Sequence, residues 1–220
     1  MSNDNKVYAH SSDDMIKEQI KVLRTNLTFS RNSTEDNIIM ITSSKPDEGK
    51  TFISSQLAQS LAESEYKVLV IDADLRKPSI HKYFNVPNNH GLSNVIGGRN
   101  ELEETIITDD ESNLSVLPSG TIPPNPAELL DTKRFEAIIN KVKKEYDFVV
   151  IDTPPVLPVT DSLIIGTLAD QTILVINSQS TSKEDVIEAK QKLDKLNIFI
   201  FGVVLNRLKR VHQEQGYYKY

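Results

Sequence analysis

The stretch Thr42-Ser-Ser-Lys-Pro-Asp-Glu-Gly-Lys-Thr51 carries the clearest chemistry in this 220-residue chain. Gly49-Lys50-Thr51 follows an apolar run, Ile38–Ile41, and opens a helical pattern. In that setting it reads as the second half of a phosphate-binding loop. Backbone N–H groups cradle phosphate oxygens, Lys50 reaches the β/γ oxygens and Thr51 ligates Mg²⁺. The N-terminus of the following helix adds an anion site of its own. Ser44 stands where the general pattern has its first glycine. A polar turn that merely caps a helix is the plainer alternative, and the order strand, loop, Gly-Lys-Thr, helix argues against it. The nucleotide-binding candidates here are Ser43, Ser44, Lys45, Pro46, Asp47, Glu48, Gly49, Lys50, Thr51 and Phe52.

Two further apolar runs end in carboxylates. Val68-Leu-Val-Ile71 leads to Asp72 and Asp74, and Phe148-Val-Val-Ile151 leads to Asp152. An aspartate at the end of a hydrophobic strand holds the Mg²⁺ hydration shell in P-loop enzymes. Any one of the three could instead cap the next helix. Three together beside a phosphate loop need a countercharge, which a magnesium nucleotide supplies. The candidate metal set is Thr51, Asp72 and Asp152, and the candidate catalytic set is Lys50, Asp72, Asp74 and Asp152.

The elements that must position these groups alternate along the chain. Short apolar runs at 38–41, 68–71, 114–117, 148–151, 172–176 and 198–205 are separated by helical patterns at 50–63, 132–145, 161–168 and 183–195. Runs without polar alternation predict strands buried on both faces, and intervening helices predict right-handed crossovers. The expected fold is α/β, a doubly wound, mostly parallel sheet with helices on both faces, built as one domain over 1–220. Pro123-Pro-Asn-Pro126 blocks helix until 126, and 77–113 is expected to carry surface loops and short helices. Ahead of the first strand, Ile16, Ile20, Leu23 and Leu27 form one face of a helix over 13–29. His81 and His90 lack metal-ligand company and read as surface histidines.

Composition narrows the function classes. A net charge of −6 gives no general pull toward nucleic acid. With no cysteine, disulfides, thiolate metal sites and cysteine nucleophiles are excluded. The longest apolar stretch, Ile198–Leu205, is far short of the roughly 18 residues that span a bilayer. The N-terminus has neither the charged nor the apolar region of a signal peptide, so a cytoplasmic protein is expected.

Ser43-Ser-Lys-Pro-Asp-Glu-Gly-Lys-Thr51, Val70-Ile-Asp-Ala-Asp-Leu-Arg-Lys-Pro78 and Val150-Ile-Asp-Thr-Pro-Pro155 together resemble the bacterial protein-tyrosine kinases. These are P-loop enzymes allied to the MinD and ParA ATPases. Pro123-Pro-Asn-Pro-Ala-Glu-Leu-Leu130 is also similar to the family. The resemblance implies ATP and Mg²⁺ as cofactors and a metal role for Asp152. It gives Asp72 and Asp74 roles in metal positioning and activation of a tyrosine hydroxyl. It adds Asn206 and Arg207 as adenine contacts. Lys45 stands where the MinD/ParA group has a lysine reaching across a sandwich dimer; the Pro and Asp that follow favour a surface lysine. The implied setting is capsular or exopolysaccharide synthesis, with a separate membrane activator of the polysaccharide co-polymerase type. Recruitment to the inner face of the cell membrane and sugar-nucleotide enzymes as protein substrates are implied as well.

Two features lie outside the nucleotide motifs. Glu18-Gln-Ile-Lys21-Val-Leu-Arg24 matches the family's Glu-x-x-Arg-x-x-Arg ring motif with Lys at the second position. On that resemblance Glu18, Lys21 and Arg24 are expected at a homo-oligomeric, ring-forming interface; read alone they are a solvated stripe with an i,i+3 ion pair. Tyr217, Tyr218 and Tyr220 place three of the seven tyrosines in the last four residues. Terminal polar segments are the usual mobile ones, so 207–220 reads as a mobile tail phosphorylated by a neighbouring subunit. Arg207, Lys209 and Arg210 make a basic cluster beside it. Two other functions fit the motifs: an ATPase switch of the MinD/ParA type, and a catalytically weak nucleotide-binding scaffold for a polysaccharide synthase.

Overall fold

The computed structural model describes residues 12–30, 36–109 and 112–208. In chain order the elements are α1 (Ser12–Ser30), β1 (Ile38–Ser43), α2 (Lys50–Ala62), β2 (Val68–Asp72), α3 (Ile80–Tyr83), α4 (Leu92–Ile96), α5 (Leu102–Thr105) and β3 (Ile107–Thr108). They continue with β4 (Leu114–Leu117), α6 (Pro126–Leu130), α7 (Lys133–Glu145), β5 (Phe148–Asp152), α8 (Asp161–Gly166), β6 (Gln171–Asn177), α9 (Lys183–Asp194) and β7 (Ile200–Asn206).

The strands form one sheet in the order β3-β4-β2-β5-β1-β6-β7, parallel throughout except for the β3–β4 pair. Side chains alternate along the central strands and divide between two cores. Ile38, Met40, Leu69, Ile71, Val149 and Ile151 face α4 to α9, while Ile39, Ile41, Val68, Val70, Phe148 and Val150 face α1, α2 and α3. Period-2 alternation with apolar residues on both sides is what a doubly covered parallel sheet requires. The expected fold class is the observed one.

Three local expectations are corrected. The last apolar run is not buried on both faces: β7 is an edge strand, and Val203 and Leu205 are about half exposed. A continuous apolar run cannot distinguish a central strand from an edge strand, because the partners that cover it lie elsewhere in the chain. The 77–113 region is not all surface. Leu92, Val95, Ile96 and Leu102 are core residues, and β3 closes the sheet edge in antiparallel register. On α1, Ile20 and Leu27 are buried and Leu23 packs against them, but Ile16 is exposed, so the helix docks through its C-terminal two-thirds.

Candidate active site

The nucleotide and metal candidates sit at the carboxyl edge of the sheet, where open α/β sheets bind their ligands. Parallel pairing puts Asp72 of β2 opposite Asp152 of β5, and Ile41 of β1 opposite Asp152 on its other side. The loop after β1 therefore starts beside Asp152, with Asp72 one strand further along the same edge. Gly49 has φ 98°, and a Cβ there would meet Asn206 Nδ2 at 2.1 Å. Only glycine satisfies both the left-handed backbone and that close approach.

Asp152 is 1% exposed and accepts from Thr51 Oγ1 at 2.7 Å and from Ser54 Oγ at 3.0 Å. Burial pushes its carboxyl up to about 6, against the opposing pull of Lys50 and the two hydroxyls. Asp72 is fully buried. Its Oδ2 accepts from Ser79 N at 2.9 Å and Ile80 N at 3.0 Å, and its Oδ1 has no hydrogen-bond partner. Burial, then the charge of Asp152, holds its carboxyl well above the usual range. Asp74 Oδ1 accepts from Lys77 N at 3.0 Å and Arg76 N at 3.3 Å, which folds the 74–77 turn around it. Arg76 then grips the buried Asp161 at the start of α8 through Nε and Nη2, at 2.9 and 3.0 Å.

On the other side of the loop, Asn206 Nδ2 donates to the Glu48 carbonyl at 2.9 Å, and Arg207 N donates to Asn206 Oδ1 at 2.8 Å. Lys45 Nζ pairs with Asp185 of α9 at 2.6 Å. Ser43 is buried with its hydroxyl on the Lys45 carbonyl, and the buried Ser44 Oγ has no partner. Pro46 and Asp47 are exposed, Lys50 is 8% exposed and Phe52 is half-buried against Tyr83. The structure thus brings Lys50, Thr51, Asp72, Asp74 and Asp152 together at one sheet edge.

This edge fits a magnesium nucleotide. Among the described residues no group of three or more His, Asp or Glu side chains could hold a metal alone. Mg²⁺ is ordinarily held by one or two carboxylates together with substrate phosphates. A buried acceptor with no partner, in register with a second buried carboxylate that holds the Thr51 hydroxyl, offers the lone pair such an ion would take. Ser54 and Asp161 were not singled out from the sequence. Ser54 lies three residues after Thr51, a spacing that shares one helix face; nothing local marks Asp161 as the partner of Arg76.

Comparison with known proteins decides the family. Residues 36–198 match the AAA domain family. The chain is 41% identical over 202 residues to the tyrosine-protein kinase YwqD of Bacillus subtilis, covering 91% of this chain and 85% of that protein. It is 37% identical over 215 residues to the Staphylococcus aureus putative tyrosine-protein kinase CapB, covering 97% and 94%. The chain belongs to the bacterial tyrosine-protein kinases. The chimerical protein CapA2B2 superposes with a TM-score of 0.85 at 36% identity, over 93% of this chain and 88% of that one. The kinase domain of Escherichia coli ETK gives 0.82 at 38%, over 91% and 80%. A MinD protein of Pyrococcus horikoshii, solved with Mg-ADP, gives 0.69 at 29%, over 80% and 72%.

Within this kinase the remaining candidates fall apart in space. On α1, Glu18 and Lys21 form an exposed ion pair at 2.7 Å. Arg24 leaves that stripe and donates to the Ser60 carbonyl of α2 at 2.7 Å and to Ser60 Oγ at 3.1 Å. Tyr217, Tyr218 and Tyr220, with Lys209 and Arg210, lie outside the described residues. Among the described residues no helix is long and apolar enough to cross a membrane.

Proposed function

We propose that this tyrosine kinase transfers the γ-phosphoryl group of ATP, with Mg²⁺, to its own C-terminal tyrosines Tyr217, Tyr218 and Tyr220, reaching them in a neighbouring subunit. The observation that carries the reading is the partnerless Oδ1 of buried Asp72, in register with Asp152, which itself accepts from Thr51 of the phosphate loop. Bound there, Mg²⁺ supplies neutralisation of the phosphate oxygens. Thr51, Asp152 and Asp72 would hold it, and Lys50 with the N–H groups of 47–51 would hold the phosphates. Asp74 sits two residues beyond Asp72, held by the 74–77 turn, and takes the proton of the incoming tyrosine hydroxyl. The Ser43–Phe52 loop, with Asn206 and Arg207 at the end of β7, makes up the nucleotide site.

The wider reading treats 1–220 as a single kinase domain with an oligomerisation helix over 13–29 and a tyrosine-bearing tail over 207–220. Glu18, Lys21 and Arg24 carry the contact to the next subunit of a ring, with Arg24 also tied through one nitrogen to Ser60 of its own chain. A separate membrane activator recruits this cytoplasmic kinase to the inner membrane face for capsular or exopolysaccharide synthesis, with sugar-nucleotide enzymes as further substrates.

Incubation with γ-labelled ATP and Mg²⁺, followed by mass-spectrometric mapping, tests the chemistry. Label is expected on Tyr217, Tyr218 and Tyr220, and Lys50→Met should lose at least about 100-fold in rate while its thermal unfolding stays cooperative. Autophosphorylation within a few-fold of wild type in folded Lys50→Met overturns the phosphate-loop assignment.

A further inference from the structure

Phosphate binding does not call for a buried carboxylate within the loop itself, yet Glu48 is one, 2% exposed. The loop around it is built to attract anions, through its N–H groups and Lys50. Left free, the Glu48 carboxylate would satisfy those same donors, because charge-assisted hydrogen bonds are the strong ones. The fold holds it elsewhere. Oε2 accepts from Lys45 N at 3.1 Å, and Oε1 accepts from the Thr181 hydroxyl on the turn between β6 and α9. Thr181 is itself fixed by its N–H on the Asn177 carbonyl at 3.0 Å. The Glu48 carbonyl is pinned from a third direction by Asn206.

We propose that Thr181 is a positioning residue for the nucleotide site: its hydroxyl keeps the loop's own carboxylate turned away from the phosphate cradle. The inference rests on reading 43–52 as the phosphate loop. Removing the hydroxyl strands a buried carboxylate oxygen, which is costly. The donors within the loop that would relieve it are those meant for phosphate. The consequence is an internal anion competing with nucleotide. Affinity falls, while turnover at saturating ATP does not, because nucleotide binding displaces the competitor before any chemistry.

The test measures Kd for Mg-ATP by calorimetry, with KM and kcat for autophosphorylation, on the whole chain. Thr181→Val should raise Kd and KM about ten-fold and leave kcat within about two-fold. Thr181→Ser keeps the hydroxyl and should bind like wild type. Adding Glu48→Gln to Thr181→Val removes the competing charge and should return most of the lost affinity, which repair of a merely structural defect would not do. A Thr181→Val protein with wild-type Kd, a Thr181→Ser protein as weak as it, or no recovery from Glu48→Gln overturns the inference. Should Thr181→Val not fold, Thr181→Ala, which also lacks the hydroxyl, is measured in the same way: it is expected to raise Kd about ten-fold, and a wild-type Kd overturns the inference. A wild-type protein that binds no Mg-ATP overturns the phosphate-loop reading itself, so the two failures are distinguishable.

Discussion

The ends of β2 and β5 and the ends of β6 and β7 share one sheet edge, yet they treat buried negative charge in opposite ways. At Asp72 and Asp152, two carboxylates face each other across adjacent strands with hydroxyls, backbone N–H groups and Lys50 around them, and one oxygen keeps no partner. Both carboxyls are pushed up, Asp152 to about 6. On the other side, both oxygens of Glu48 are occupied, Asn206 fills its amide on Glu48 and Arg207, and Asp185 pairs with Lys45 while capping α9. An unsatisfied buried charge costs stability and is retained where a ligand will meet it; a satisfied one braces the scaffold. On the proposed reading the first region binds and reacts, and the second braces the loop at Glu48.

The largest effect that would break this contrast is catalytic. Asp72→Asn and Asp152→Asn should each lower the autophosphorylation rate by about 100-fold or more, with Mg²⁺ affinity falling most at Asp152. Two Asn variants with normal turnover would make these residues ordinary helix caps and remove the distinction between the two sides.

A second measurement sharpens the contrast through pH. Asp152 has a raised folded-state pKa, so the folded protein binds more protons than the unfolded chain between about pH 4 and 6. Its contribution to stability is fully present below the unfolded pKa and is lost as pH rises through about 6. Nucleotide-free Asp152→Asn should therefore melt above wild type at pH 7.5, by an amount corresponding to on the order of 1–3 kcal/mol. The gain should shrink toward pH 4. A Tm for Asp152→Asn below wild type at pH 7.5 would show that the Thr51 and Ser54 hydrogen bonds outweigh the burial.

The smallest expected effect belongs to the other side. Lys45 is half exposed in its pair with Asp185, and such surface ion pairs contribute little. Lys45→Met should move Tm by no more than about 1 °C, and should cost far less activity than Lys50→Met. Loss of activity equal to that of Lys50→Met would bring back the sandwich-dimer role of this lysine and favour an ATPase switch.

Strand order and register explain why parts of this contrast escaped the sequence. Gly49-Lys50-Thr51 announces a phosphate loop because the loop, its lysine and its helix are contiguous, and Asp72 and Asp152 announce themselves by ending apolar runs. Their mutual facing depends on β5 inserting between β2 and β1, which no local pattern records. Thr181 and Glu48 are 133 positions apart, Arg76 and Asp161 are 85 apart, and Asn206 is 158 from the carbonyl it holds. The exposed face of β7 is not legible in the sequence for the same reason: Val203 and Leu205 are as apolar as any central-strand residue, and only the sheet order leaves them at an edge.

By itself the sequence determined the α/β class, the chain order of the six parallel strands, the phosphate loop and the three aspartates at strand ends. Each of those rests on periodicity or on neighbours within a few residues, the range over which backbone sterics and local hydrogen bonds act. The tertiary structure alone decided which carboxylate oxygens find hydrogen-bond partners and that Asp72 Oδ1 does not. It turned Arg24 into a tether of α1 to α2, and it placed Thr181 on the phosphate loop. Those outcomes depend on burial and on partners delivered by crossovers, and a buried polar group is stable only where the whole fold supplies its complement.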